Sequence, residues 1–250
     1  MFVHQPDTAD KKLVIGHWFL LALNGGMVNA GGFLATGRFV SHVTGFATLF
    51  GVHLAHDKPD IAIGALTVPL FFLFGSFLAG FLIDRPIYRG EVPHFDWVMG
   101  MSAVCLFLSA LGGEAAQFSL LGMTAHTVSV YFLMALLCLA CGLQNGAITS
   151  SSGSTVRTTH LTGLTTDLGL GIARLVTYKS EDKKRKKEVR ANWLRIGTIL
   201  SFLIGSTIGA YLFLKFGHRS FMIPGVIASY ATWHGYKAKI IPHKQKILGT

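Results

Sequence analysis

Ser41-His42-Val43-Thr44-Gly45 returns in the second half of the chain as Thr159-His160-Leu161-Thr162-Gly163, and each copy runs on into an apolar stretch broken by Thr and Gly. With the copies aligned, Thr48 falls on Thr166 and Gly51 on Gly169. Thr44, Thr48 and Gly51 then stand at i, i+4 and i+7 of a helix, and Thr162, Thr166 and Gly169 repeat that face. A polar stripe on an oily helix is expected to turn to protein, water or ligand, because hydrocarbon cannot satisfy a hydroxyl. These two segments are the candidate centre of the molecule.

The rest of the composition sets them in a membrane. The chain has 250 residues, 51% of them hydrophobic and only 14% charged, with a mean hydropathy of +0.50. That is too little charge to cover a soluble globule of this size. The formal charge of +10 is concentrated in Lys179 to Arg190 and in a tail with Lys237, Lys239, Lys244 and Lys246. Such clusters beside apolar helices read as cytoplasmic flanks near anionic headgroups. No base-reading motif is present, so nucleic acid is not an expected partner. Cys105, Cys138 and Cys141 all lie in apolar runs, so Cys138-x-x-Cys141 is expected to pack rather than to bind metal or do redox work.

The order of landmarks suggests a duplication. Lys11-Lys12 followed by LVIGHWFLLAL resembles a signal peptide, but the Gly26-x-x-Asn29 within it recurs as Gly142-x-x-Asn145 in mid-chain, so the segment is expected to be retained structure. Gly75-Ser76 and Ala79-Gly80 align with Gly205-Ser206 and Gly209-Ala210, small residues four apart that let helices approach in lipid. We read residues 1–125 as a first membrane repeat and 126–250 as a second. The second carries a basic cytoplasmic loop at 179–190, and the two halves form one integrated domain.

Spans are expected at about Leu13 to Ala35, Ile61 to Ile83, Phe95 to Leu111, Val128 to Ile148, Trp193 to Phe213 and Phe221 to Trp233. If the His-x-Thr-Gly segments also cross, there are eight spans and the halves are parallel; if they are broken or re-entrant, there are six and the halves are inverted. Six spans with the N-terminus inside place Arg85, Arg89, Arg157, the basic loop and the tail in the cytoplasm. Only Arg38, Lys58, Lys215 and Arg219 then lie outside, which fits the positive-inside rule better than eight spans do. The expected fold is therefore all-α, with about six transmembrane helices as two inverted three-helix repeats, each holding a broken or re-entrant His-x-Thr-Gly segment.

At GRFVSHVTGFATLFG, with GLQN and THLTGLTTDLG later, the sequence resembles the YoaK family of bacterial inner-membrane proteins, a domain of unknown function. The likeness covers nearly the whole chain. It implies a protein of about six spans in the bacterial inner membrane, and it brings no substrate or activity with it.

For the site, His42 and His160 are the most suggestive pair, since imidazole titrates near neutrality and can relay protons or hold a ligand. The plainer alternative is a neutral ring bonded to a backbone carbonyl at a helix start. Thr44-Gly45 and Thr162-Gly163 could open half-helices whose N–H groups attract anions, with Arg38 and Arg157 adding a cation to each. The alternative there is arginines that snorkel to the interface and Thr-Gly pairs that only permit helix contact. Asn29, Gln144 and Asn145 either bridge helices or line a cavity, and Asp167 has no acidic counterpart in the first half. The expected substrate-binding set is thus His42, Thr44, Gly45, Thr48, His160, Thr162, Gly163, Thr166, Asn29, Gln144, Asn145, Arg38 and Arg157.

No phosphate loop, metal signature or nucleophile elbow is found, and no cofactor, metal or enzyme activity is expected. The favoured expectation is a small-solute transporter or permease for an anionic or carboxylate-bearing metabolite. Its rival is a non-transporting membrane scaffold or sensor that works through the basic loop. Membrane lipid is an expected partner, and self-association into homo-oligomers is left open.

Overall fold

The computed structural model describes residues 12–117, 123–153, 156–179 and 183–248. It consists of helices: α1 (Lys12–Thr36), α2 (Val43–Ala55), α3 (Pro59–Tyr88), α4 (Phe95–Gln117), α5 (Met123–Ser151), α6 (Leu161–Thr177), α7 (Lys183–Phe216) and α8 (Met222–Leu248), with a 3-10 turn at Gly217–Phe221 before α8. Five described stretches are long and apolar enough to cross a bilayer: Val14–Thr36, Pro59–Tyr88, Phe95–Gly113, Ser129–Ser151 and Lys183–Lys237. The last of these holds two helices. The chain reverses at Gly217, whose φ of +57° suits a residue without a Cβ. The residues that face outward carry the same message. Leu73, Phe74 and Phe77 on α3 and Leu200, Leu203 and Ile204 on α7 are all more than half exposed, an oily surface that water would not tolerate over such an area. This is a helical, multi-pass membrane protein by length and apolarity.

Glycine decides which helices meet most closely. A methyl on Gly26 would overlap the Phe202 carbonyl of α7, and one on Gly205 or Gly209 would meet the backbone of Leu23 or Met27 in α1. Gly75, Gly142 and Gly146 bring α3 and α5 together in the same way, Gly75 against the backbone at Leu139 to Leu143 and Gly142 against Phe72. In both pairs the contacts advance together along the two chains, so α1 runs parallel to α7 and α3 parallel to α5. Between α4 and α8 the order is opposite. Gly235 meets Asp96, Gly100 meets Thr232, and Gly225 meets Phe107, so these two helices are antiparallel. Gln144 of α5 ties to α1 by accepting from Asn24 Nδ2 at 2.8 Å and donating to the Leu21 carbonyl at 2.8 Å. Gly32 of α1 lies against Leu137 of α5, so α1 and α5 are antiparallel as well. The six long helices therefore alternate in direction along the chain.

Two short helices lie outside this set. α2 has 13 residues, about 20 Å at 1.5 Å per residue against about 30 Å of hydrocarbon, too short for a perpendicular crossing. It packs on α3, and α6 packs on α7. Several boundaries differ from the sequence expectation. α3 runs on through Pro86 to Tyr88, so Asp84-Arg85-Pro86 does not end it; a proline in the last turn leaves most of the ladder untouched. α4 continues through Gly112-Gly113, where the absent side chain admits the His218 ring. Lys183 to Arg190 is the first part of α7 rather than a loop, and residues 180–182 of the expected loop lie outside the described residues. So do residues 118–122, and α5 is already helical at Met123, ahead of the division drawn at 125/126.

Candidate functional site

His42 and His160 are each the N-cap of a short helix. Their backbone angles are alike, φ −106° and ψ 78° at His42 and φ −95° and ψ 63° at His160. In each copy the Thr is then the second helical residue and the Gly the third. Neither imidazole makes a capping hydrogen bond; each folds back over its own first turn. A Cβ on Gly45 would lie a tight 3.2 Å from His42 Nδ1, and a Cβ on Gly163 would overlap the His160 ring. The Gly of the motif is there to make room for the His. This reason is local, and spacing alone did not reveal it.

The breaks themselves are held by the two asparagines. Asn29 Oδ1 accepts from the Ser41 hydroxyl at 2.8 Å and the Ser41 N–H at 3.3 Å. Asn145 Oδ1 accepts from the Thr158 hydroxyl at 3.3 Å and the Thr159 N–H at 3.5 Å. Each replaces the intrahelical bond that the interrupted backbone gives up, which is the condition for irregular backbone at membrane depth. The first break is further fixed by Cys138, whose thiol donates to the Val40 carbonyl at 2.9 Å. All three cysteines are buried and free.

Both segments open onto one cavity of about 520 Å³. Ser41, His42, Val43 and Thr44 line it from the first break, and Arg157, Thr159, His160 and Thr162 from the second; Phe72, Ser76, Gly80 and Asp84 of α3 and Asn145, Gly146, Thr149 and Ser150 of α5 close it. Its size is that of a small-molecule site. Of the expected residues, the structure brings His42, Thr44, Asn145, Arg157, His160 and Thr162 to this wall.

It places the others elsewhere. Gly45 and Gly163 lie beneath the imidazoles, and Asn29 supports Ser41 from behind. Gln144 is 3% exposed and belongs to the α1–α5 bridge. The Arg38 guanidinium lies 5.9 Å from the centre of the Tyr131 ring. Thr48 and Thr166 are exposed, and their hydroxyls donate to the Thr44 and Thr162 carbonyls at 3.2 and 3.0 Å. The second threonine of each stripe is therefore satisfied within its own helix, Gly51 and Gly169 beside it face open space, and only Thr44 and Thr162 of the stripe reach the cavity. Asp167 is also exposed, on the outer side of α6.

The sequence reading missed Asp84. Arg85, next to it, turns away and stacks on Phe81 with the guanidinium carbon 4.6 Å from the ring centre. Among the described residues the side chains of Asp84, Arg157 and His160 have no hydrogen bond or ion pair. Among the described residues the wall thus presents an acid, a base and an imidazole without bonded side-chain partners, and a second imidazole, His42, whose ring stands edge-on to Phe39 at 6.0 Å. The same residues hold no group of three or more His, Cys, Asp or Glu placed to bind a metal.

A bundle of alternating long apolar helices, with two short helices whose N-termini share a polar cavity, defines a helical multi-pass membrane protein. The chain belongs to the family described as "Protein of unknown function (DUF1275)", whose profile matches residues 17–233. YoaK is a member of that family, so the resemblance noted in the sequence holds. No curated protein and no solved structure matches the chain.

Proposed function

We propose that the protein is a small-solute transporter or permease of the bacterial inner membrane, built as two inverted three-helix repeats with both termini cytoplasmic. The observation that carries this reading is the shared cavity of about 520 Å³ at which the two His-x-Thr-Gly breaks meet. Discontinuous helices that aim their N-termini at a midplane site are how secondary transporters hold anionic groups. The helix directions support the inverted arrangement. An eight-crossing path would make α4 and α8 parallel, and they are antiparallel. The pairing of α1 with α7 and of α3 with α5 is what a twofold exchange of the halves requires.

In this mechanism a carboxylate-bearing solute enters the cavity and is met by the free N–H groups of α2 and α6 and by Arg157. His42 and His160 lie at the two helix starts, where a proton could be gained or lost as the solute passes. The scaffold reading expects a closed interface between the halves, and the cavity weighs against it. The test is flux into proteoliposomes over a panel of organic anions, for wild type, His42→Ala, His160→Ala and the double variant. Flux that falls at least about tenfold in the double variant supports the reading; unchanged flux removes the histidines from it, and no flux for any solute ends it.

A further inference from the structure

Resting on the reading of this cavity as a solute site, we propose that its ligand is zwitterionic: an anionic group and an ammonium on one small molecule, the ammonium being held by Asp84. A cavity meant for a simple anion gains nothing from a carboxylate in its wall, because like charges repel. Asp84 is nevertheless there, facing the same space as Arg157, His42 and His160. Its own chain does not neutralise it. Arg85 is engaged on Phe81, and no described side chain bonds to Asp84. Gly80, one helical turn away, leaves the carboxylate room; a Cβ there would come to 3.6 Å from Asp84 Oδ2.

Among the described residues the Arg157 side chain is equally without a hydrogen bond or ion pair. An acid and a base that line one cavity without bonding to each other leave both charges to be met by a ligand that carries the two complements. Hydroxyls from Ser76, Thr149 and Ser150 fill the wall beside Asp84, donors and acceptors suited to a polar backbone rather than an alkyl chain. Two sources present this chemistry: a free amino acid, and the phosphoethanolamine headgroup of a lipid.

The experiment is thermal unfolding of the detergent-purified full chain with four additions: a pool of small amino acids, a size-matched pool of monocarboxylates, a pool of primary amines, and micelles doped with phosphatidylethanolamine. At about ten times the dissociation constant a ligand should raise Tm by about 3–6 °C. The amino acids are expected to do so in wild type, with monocarboxylates and amines each giving less than half the shift. Asp84→Asn should reverse the order in favour of monocarboxylates, and Arg157→Gln in favour of amines; both side chains are exposed in the cavity, so the fold should survive either change.

A shift with the lipid alone keeps the zwitterion and overturns the permease reading. Monocarboxylates that match the amino acids in wild type, with Asp84→Asn unchanged, overturn the zwitterion and leave an anion permease. No shift with any addition overturns both.

Discussion

Gly163 and the His160 ring claim the same space, and that conflict is testable. Gly→Ala in a helix ordinarily gains about 1 kcal/mol. At 163 the methyl must first push the imidazole aside, so Gly163→Ala should gain little or lose stability in wild type and recover about 1 kcal/mol in a His160→Ala background. A double-mutant cycle by thermal unfolding reads that coupling, and additivity within about 0.3 kcal/mol would refute the contact. The first copy should couple less, because its nearest approach to a built Cβ is 3.2 Å. Asn29→Leu and Asn145→Leu should each cost about 1–3 kcal/mol, since each leaves a backbone N–H of the break without its acceptor.

At this scale the sequence was only half legible. Type and order picked out the two His-x-Thr-Gly copies, and each opens a short helix. But a threonine four residues after another can bond to its own helix, which no spacing rule separates from a threonine facing a ligand. Asp84 was hidden by the opposite difficulty. Before Arg-Pro it reads as the end of a span, and only the continuation of α3 to Tyr88 turns it into a wall residue.

At the scale of elements, the two parallel contacts are made by backbone against backbone. Gly205→Ala and Gly142→Ala put a methyl into the Leu23 and Phe72 carbonyls, and the helices must part. Each should cost roughly 3 kcal/mol or more and sharply lower the yield of folded protein, measured by size-exclusion chromatography in detergent. Gly80→Ala, with nothing nearer than 3.6 Å, should be indistinguishable from wild type, and similar losses at all three sites would argue against close packing as the cause. Gly75, Gly205 and Gly209 were legible in advance as small residues four apart, because in lipid the close approach of backbones is itself the attraction; Gly142 was not among those pairs, and Gly80, which was, makes no such contact. Which helix each stripe would meet was not legible, since a stripe names a face and leaves its partner unnamed.

At the scale of the whole molecule, the direction of each helix fixes which loops share a side. Single cysteines at Lys58 and Arg219 should react with an impermeant maleimide from outside intact cells. Those at Arg89 and Lys186 should react only after lysis, and labelling of both Arg89→Cys and Arg219→Cys from outside would refute six crossings. The native thiols are all buried and give little background.

The two short arms are gripped differently. α6 is clasped to α7 by ions: Glu188 lies 3.5 Å from Arg174 and 2.7 Å from Arg195, and Arg185 caps the last carbonyls of α6 at Leu175 and Tyr178. The α2 arm buries Phe46 against the bundle and leaves Val43, Val52 and Leu54 bare. It is held by apolar packing on α3 rather than by charge. Leu170, Ile172 and Val176 leave α6 as bare as its twin, so a change of lipid would press on both arms, whereas strong salt would loosen only the one clasped by charge.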